Sequence, residues 1–195
     1  MMNAIRAPLV VSLMLIPFVL LSLKSIGYLS GLGANPVEAI IHETGLWGIR
    51  FLMLTLLITP IAYYSGNRSM AKLGKPVGLM AFFYVLNHFL SYAIIDQAGD
   101  LAVIIVDIIE TPYLIVGWGG FLCLLGVASV SFKRLESWFN QNRSTISGLV
   151  YIATILGVWH FYWQTKVIEV EPLLYSVILL FLIVWRFKIT WGVKK

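Results

Sequence analysis

Six apolar stretches, each close to the length of a bilayer crossing, set the limits on what this chain can fold into. They run over residues 8–28, 46–64, 77–95, 112–130, 147–164 and 173–187. A membrane-spanning helix needs roughly 20 apolar residues. Without water, its backbone groups must be satisfied within the helix itself. Charged residues make up 12% of the 195, against about 25% in soluble domains, so the bilayer is the expected solvent. The expected fold is an all-α integral membrane protein, a six-transmembrane-helix bundle with both termini cytoplasmic. Short connections leave no room for a soluble domain, so residues 1–195 read as one transmembrane domain. Arg6 precedes an apolar core, but SLKSIGYLS follows without a small-residue cleavage site, so the first stretch reads as a retained helix.

Lys and Arg mark cytoplasmic loops. Arg6, then Arg68, Lys72 and Lys75, then Lys133, Arg134 and Arg143, then Arg186, Lys188, Lys194 and Lys195 fall on one side, 11 of the 14 basic residues. Lys24, Arg50 and Lys166 are the others. The acidic residues Glu38, Glu43, Asp96, Asp100, Asp107, Glu110, Glu169 and Glu171 fall opposite, leaving Glu136 inside. The outer face is therefore an acidic surface suited to docking a partner. The net charge of +5 sits at membrane edges, which excludes a nucleic-acid role. Cys123 is the single cysteine, so no internal disulfide, C-x-x-C-H haem attachment or paired-cysteine metal motif exists.

Two outer segments are too brief to span. Residues 36–43 follow Asn35-Pro36, and 100–110 carry Leu101, Ile104, Ile105 and Ile108 opposite Asp100, Asp107 and Glu110. That division suits helices in the membrane interface. Asn35-Pro36, Thr111-Pro112 and Glu171-Pro172 place proline at expected helix starts. Pro17 is expected to kink the first helix. No internal repeat or low-complexity segment appears.

Two histidines interrupt the apolar runs: His88 in AFFYVLNHFL and His160 in GVWHFYW. Counted from the cytoplasmic starts of their helices, they lie roughly 16 and 20 Å deep at 1.5 Å per residue. Both fall in the outer half of the bilayer. A lone histidine there ordinarily bonds a neighbouring helix, but polar groups inside spans are functional by default. Two imidazoles on parallel helices at matched depth can supply both axial ligands of a b-type haem. Zinc fits less well, because that layer offers no cysteine or carboxylate to complete a tetrahedral set. Ala81, Ala153 and Gly157 leave room for a macrocycle, and Phe89, Tyr92, Trp159 and Trp163 are expected to wall it. Arg50 either pairs with haem propionates or snorkels to the headgroups. His42 reads as a surface residue or a contact to the cofactor edge.

GANPVEAIIHETGLWGIRFLMLTLLITP, GLMAFFYVLNHFLSYAIIDQ, DIIETPYLIVGW and LVYIATILGVWHFYW together resemble the haem-binding membrane subunit of the bacterial periplasmic methionine sulfoxide reductase system. This is the MsrQ/YedZ-like family of the ferric-reductase-like transmembrane superfamily, and the match covers about residues 32 to 175. The resemblance implies a multi-pass protein of the bacterial inner membrane. It implies an electron-transfer subunit rather than a catalyst alone, passing electrons from the quinone pool or a cytoplasmic flavin reductase through haem b to a periplasmic molybdopterin-containing reductase. FMN is also associated with the family. The haem ligands map onto His88 and His160. The family pattern W-x-x-L-H-R-L-V-Y is broken here, because Ser147 stands for its histidine and Gly148 for its arginine. Lys75 lies at comparable depth on the third helix. One outer haem site is therefore expected and no inner one.

A centre at the outer histidines would lie roughly 16–20 Å from the inner edge, so a quinol inside the bilayer or a bridging cofactor would have to close the gap. Two alternatives differ in class. A stand-alone ferric or quinone reductase would want a soluble nucleotide-binding domain. A small transporter or channel without haem would show broken helices or paired repeats.

Overall fold

The computed structural model describes residues 2–131, 136–165 and 170–192, and no strand occurs among them. The helices are α1 (Met2–Ser25), α2 (Pro36–Tyr64), α3 (Arg68–Ala71), α4 (Gly74–Leu90), α5 (Leu101–Glu110), α6 (Pro112–Val130), α7 (Glu136–Gln141), α8 (Arg143–Gln164) and α9 (Val170–Gly192). A π-helical turn, Ser91–Asp96, extends α4. Six of these helices, α1, α2, extended α4, α6, α8 and α9, are long and apolar enough to cross a membrane. The expected six-helix, multi-pass bundle is thus the architecture. Of the charges used to orient it, Lys133, Arg134, Lys166, Glu169, Lys194 and Lys195 lie outside the described residues.

The boundaries differ from expectation where local signals compete. Residues 36–43 do not form a separate interfacial helix; they are the first turns of α2, which runs unbroken for 29 residues. Pro36 sits in its first turn, and the Asn35 side chain accepts the Glu38 N–H at 3.3 Å while its amide donates to the Glu38 carboxylate at 2.9 Å. Nothing after Glu43 stops the helix, since a single interior glycine such as Gly45 costs only about 1 kcal/mol. Thr44, buried, donates its hydroxyl to the carbonyls of Ile40 and Ile41 at 2.7 and 2.9 Å. Pro172 lies inside the first turn of α9 rather than at its start, where a missing N–H leaves no bond unmade.

Helix α5 stands alone as expected, capped by Asp100, which accepts the N–H groups of Ala102 and Val103. Its faces divide differently, however. Only Ile104 is buried, while Leu101 and Ile105 are exposed. Asp107 turns inward, where it accepts from the Tyr92 hydroxyl at 2.5 Å and from Thr111 at 3.0 Å. A carboxylate that reaches two hydroxyls is better served there than on the polar face.

Helices α2 and α4 pack most extensively, followed by α6 and α8; contacts of α2 with α8 and of α4 with α6 close a four-helix ring. Helix α1 lies against α2 and α4, and α9 against α8 and α2. Pro17 lies within α1, and Tyr84 of α4 bridges two backbone groups beside it. Its fully buried hydroxyl accepts the Phe18 N–H at 2.9 Å and donates to the Met14 carbonyl at 2.7 Å. Those two backbone groups would bond each other in an unbroken helix.

No repeat is legible as a run of identical residues, yet the ring contains one. The pair α2/α4 recurs as α6/α8, each position displaced by 72 residues. Gly45, Gly48, Leu52, Ala81, His88 and Phe89 correspond to Gly117, Gly120, Leu124, Ala153, His160 and Phe161. The glycines allow close approach of helices, which in lipid must associate by packing rather than by the hydrophobic effect. A Cβ on Gly48 would fall 2.8 Å from Val85 Cγ2, and one on Gly120 would fall 3.4 Å from the Ala153 carbonyl oxygen.

Candidate functional site

The repeat brings the ring of His88 on α4 beside that of His160 on α8. Their ring centroids are 6.1 Å apart, with planes inclined at 78°. Each ring is held in the same way. His88 Nδ1 lies 2.8 Å from the Ile41 carbonyl oxygen, and His160 Nδ1 lies 2.8 Å from that of Tyr113, the partners 47 positions apart in both cases. A carbonyl can only accept, so Nδ1 carries the proton and donates in both rings. Nε2 is thereby left as a lone-pair donor on each, the tautomer a metal requires.

One turn beyond each carbonyl is a glycine, and here its lack of a side chain is essential. A Cβ on Gly45 would sit 2.9 Å from His88 Nδ1, and one on Gly117 would sit 2.8 Å from His160 Nδ1. Any larger residue would displace the ring from its carbonyl. Carbonyl, glycine and histidine therefore form a cradle, built twice.

Between the cradles lies a cavity of about 380 Å³, lined by both histidines and by Gly45, Gly117, Gly157, Phe89, Trp118 and Phe121 among others. The spacing of the rings matches what iron would require. An imidazole nitrogen lies about 2 Å from a metal ion that it binds and about 1 Å from its own ring centre, so two imidazoles that held one ion between them would have centroids about 6 Å apart. Among the described residues no group of three His, Cys, Asp or Glu is placed to hold a metal. Two opposed imidazoles suit a metal that brings its other ligands with it, as iron in a porphyrin does. The residues present fit that group.

The remaining expected site residues divide. His42 lines the cavity, its ring centroid 6.0 Å from that of Phe161. Phe89, Tyr92, Ala153 and Gly157 also line it, whereas Ala81 is fully buried in the helix packing instead. Trp159 and Trp163 do not wall the cavity. They stack on each other at 5.8 Å, both about half exposed on the outside of the bundle. Trp118 and Phe121 take their place, because α6 faces the cavity where the outward side of α8 cannot.

Arg50 is not among the residues that line the cavity. Its guanidinium ion-pairs with Glu171 at 3.2 Å, donates to the Tyr175 hydroxyl at 3.1 Å and lies 4.8 Å over the Trp47 ring. It joins α2 to α9. The cavity rim carries Glu38, Asp96 and Asp107, with Asn35, Gln97 and Gln164 beside them.

Sequence reasoning missed Ile41, Tyr113, Gly45 and Gly117, the parts that aim the rings. Their signal was present as the shared 72-residue offset of Gly-x-x-Gly and His-Phe.

The family described as ferric reductase like transmembrane component matches residues 44–164, which contain both cradles except for the Ile41 carbonyl. Among similar curated proteins, the protein-methionine-sulfoxide reductase heme-binding subunit MsrQ of Xanthomonas oryzae pv. oryzae is 37% identical over 155 residues, covering 80% of this chain and 71% of the relative. The protein of the same name from Brucella ovis is 36% identical over 161 residues, covering 83% and 73%. By sequence and by helical architecture, the chain belongs to the MsrQ-like family of ferric reductase-like transmembrane components.

Proposed function

We propose that this chain is the haem-binding, electron-transfer subunit of a methionine sulfoxide reductase system, with His88 and His160 as axial ligands of one b-type haem. The supporting observation is the doubled cradle: two imidazoles with centroids 6.1 Å apart, each with Nδ1 committed to a backbone carbonyl. Bound there, haem would supply reversible one-electron iron chemistry. The chain's own residues fix how it is held. The two carbonyls set the tautomer and the ring directions, the glycines admit the rings, and the aromatic wall of Phe89, Trp118 and Phe121 excludes water.

On this reading the basic end of the bundle faces the cytoplasm of a bacterial inner membrane, in keeping with the excess of Lys and Arg in cytoplasmic loops. The donor is quinol or a cytoplasmic flavin reductase, and the acceptor a molybdopterin-containing reductase at the acidic end, where the cavity rim lies. The names of the relatives support the assignment to the reductase system.

The test is spectroscopic. Protein purified in detergent from haem-replete cells is expected to show a Soret band and the sharp reduced-state bands of a six-coordinate low-spin haem. His88→Ala and His160→Ala should each abolish that spectrum. A colourless wild-type preparation, or a low-spin spectrum that survives either substitution, overturns the assignment.

A further inference from the structure

A second cavity, of about 170 Å³, lies in the same ring toward its basic end. Leu52 and Leu124, which correspond in the repeat, line both cavities and so separate them. Lys75 and Ser147, which also correspond, line the inner one, 13 residues before His88 and His160. Toward that inner cavity the outer one is closed by hydrocarbon, since Ile49 and Val85 stand beside the two leucines in its lining. Its two ends therefore differ: one is apolar, and the other is the polar mouth.

A b-type haem is apolar over most of its ring and carries two carboxylates on one edge. Burying an unpaired carboxylate in hydrocarbon is costly, so that edge belongs at the mouth. No Lys or Arg lines the outer cavity, and Arg50 is engaged with Glu171 and Tyr175. The rim carboxylates are already met by their own neighbours. Glu38 accepts from the Asn35 amide at 2.9 Å and Asp96 from the Gln97 amide at 2.8 Å, while Asp107 accepts from the hydroxyls of Tyr92 and Thr111. Those donors are committed. His42 and Gln164 are not: both line the cavity, and neither side chain makes a hydrogen bond among the described residues. Imidazole and amide both offer N–H donors to a carboxylate.

The two free donors also stand together. Helices α2 and α8 pack against each other, the His42 ring centroid lies 6.0 Å from that of Phe161, and Gln164 follows Phe161 within one turn of α8. Each donor borders one cradle: His42 follows Ile41, whose carbonyl meets His88, and Gln164 is one turn beyond His160. Asp96 and Asp107 are carried by other elements, the π-helical turn and α5. We infer that His42 and Gln164 hold the two carboxylates of the bound macrocycle and so fix which of its edges faces the mouth. The inference rests on the haem reading above and gives both residues a role in binding separate from ligation of the iron.

Titration of the full-chain apoprotein in detergent, once with haem and once with haem dimethyl ester, tests it. The ester is the same macrocycle with both carboxylates blocked, so the axial histidines can bind either. Wild type is expected to bind haem about tenfold more tightly than the ester, because hydrogen bonds to a charged acceptor are the strong ones. In His42→Leu/Gln164→Leu that preference should disappear through weaker haem binding, with the affinity for the ester unchanged. His42→Gln, which keeps a donor, should show an intermediate preference, and Trp163→Leu, outside the lining, the full one. Equal wild-type affinities overturn the inference, as does an undiminished preference in the double variant. A loss that falls alike on haem and ester also overturns it, since it would mark a purely structural role. The spectrum separates these failures from failure of the haem reading. Six-coordinate low-spin spectra with both macrocycles keep the ligation by His88 and His160 whatever the preference, whereas no such spectrum with either overturns both.

Discussion

The two cavities of the four-helix ring share a backbone plan and differ in a few side chains. At the outer level the repeat is kept in chemistry as well as in position: histidine stands beside histidine, and each is met by a glycine one turn beyond a carbonyl. At the inner level position is kept and chemistry is not. Lysine stands where serine is its counterpart, and the serine hydroxyl is engaged by Arg186. The comparison separates what the fold provides from what the residues decide. Pairing two helix hairpins about one axis creates two stacked spaces; ligation needs the imidazoles and the groups that aim them.

The largest effect should come from restoring the missing chemistry. Lys75→His together with Ser147→His places imidazoles at both inner positions, related by the same 72-residue offset as His88 and His160. Haem per chain, measured as the pyridine haemochrome against protein, is expected to rise from one toward two. Ser147→Ala should leave the wild-type value unchanged, since that hydroxyl meets Arg186 and no outer-cavity group. Loss of half the haem in Ser147→Ala would show that the inner level already ligates iron, and the contrast between levels would collapse.

Next in size are the cradle glycines. Gly45→Ala or Gly117→Ala would place a methyl group under 3 Å from the Nδ1 of its histidine. The ring must then leave its carbonyl. Loss of a partner that orients a metal-bound histidine typically costs about 10–100-fold in metal affinity, and haem titration of the apoprotein should show that range. Gly126→Ala, where a Cβ would meet nothing, should bind as wild type. Should all three behave alike, the cradles are incidental to haem binding.

Smaller, and confined to the scaffold, is the effect expected at Tyr84. Tyr84→Phe strands the Phe18 N–H and the Met14 carbonyl beside Pro17. An unsatisfied buried polar group costs about 1–3 kcal/mol, so thermal unfolding should move to lower temperature while the haem spectrum stays as in wild type.

Much of this was legible in the chain. Six apolar runs gave six crossings, because in lipid length and composition leave the backbone little choice. The histidines stood out for the same reason, as polar groups in hydrocarbon. The groups that aim them did not, since a backbone carbonyl carries no signature in sequence. Ile41 and Tyr113 share nothing but register, and the repeat is marked by few identities. Where side chains were assigned to surroundings, helix rotation decided the outcome. Trp159 lies next to His160 and so projects to another side of α8, facing out, while Trp118 and Phe121 on α6 face in. Residues 36–43 are too brief to span by themselves, yet they are continuous with the apolar run that follows and form the first turns of α2.

Arg50 should mark the lower end of the scale. A guanidinium within a span invites a role in holding propionates, yet its partners are Glu171, Tyr175 and the Trp47 ring. The side chains of Arg50 and Glu171 are 33% and 46% exposed, and ion pairs so accessible contribute about 0–1 kcal/mol where they meet water. Arg50→Gln keeps the stem and a donor for Tyr175 while removing the charge. The expected outcome is a small loss of thermal stability, from looser docking of α9 on α2, with the Soret band and haem content unchanged. A shift of the Soret band or a fall in haem content would instead tie Arg50 to the outer cavity, and the line drawn between scaffold and cradle would have to move.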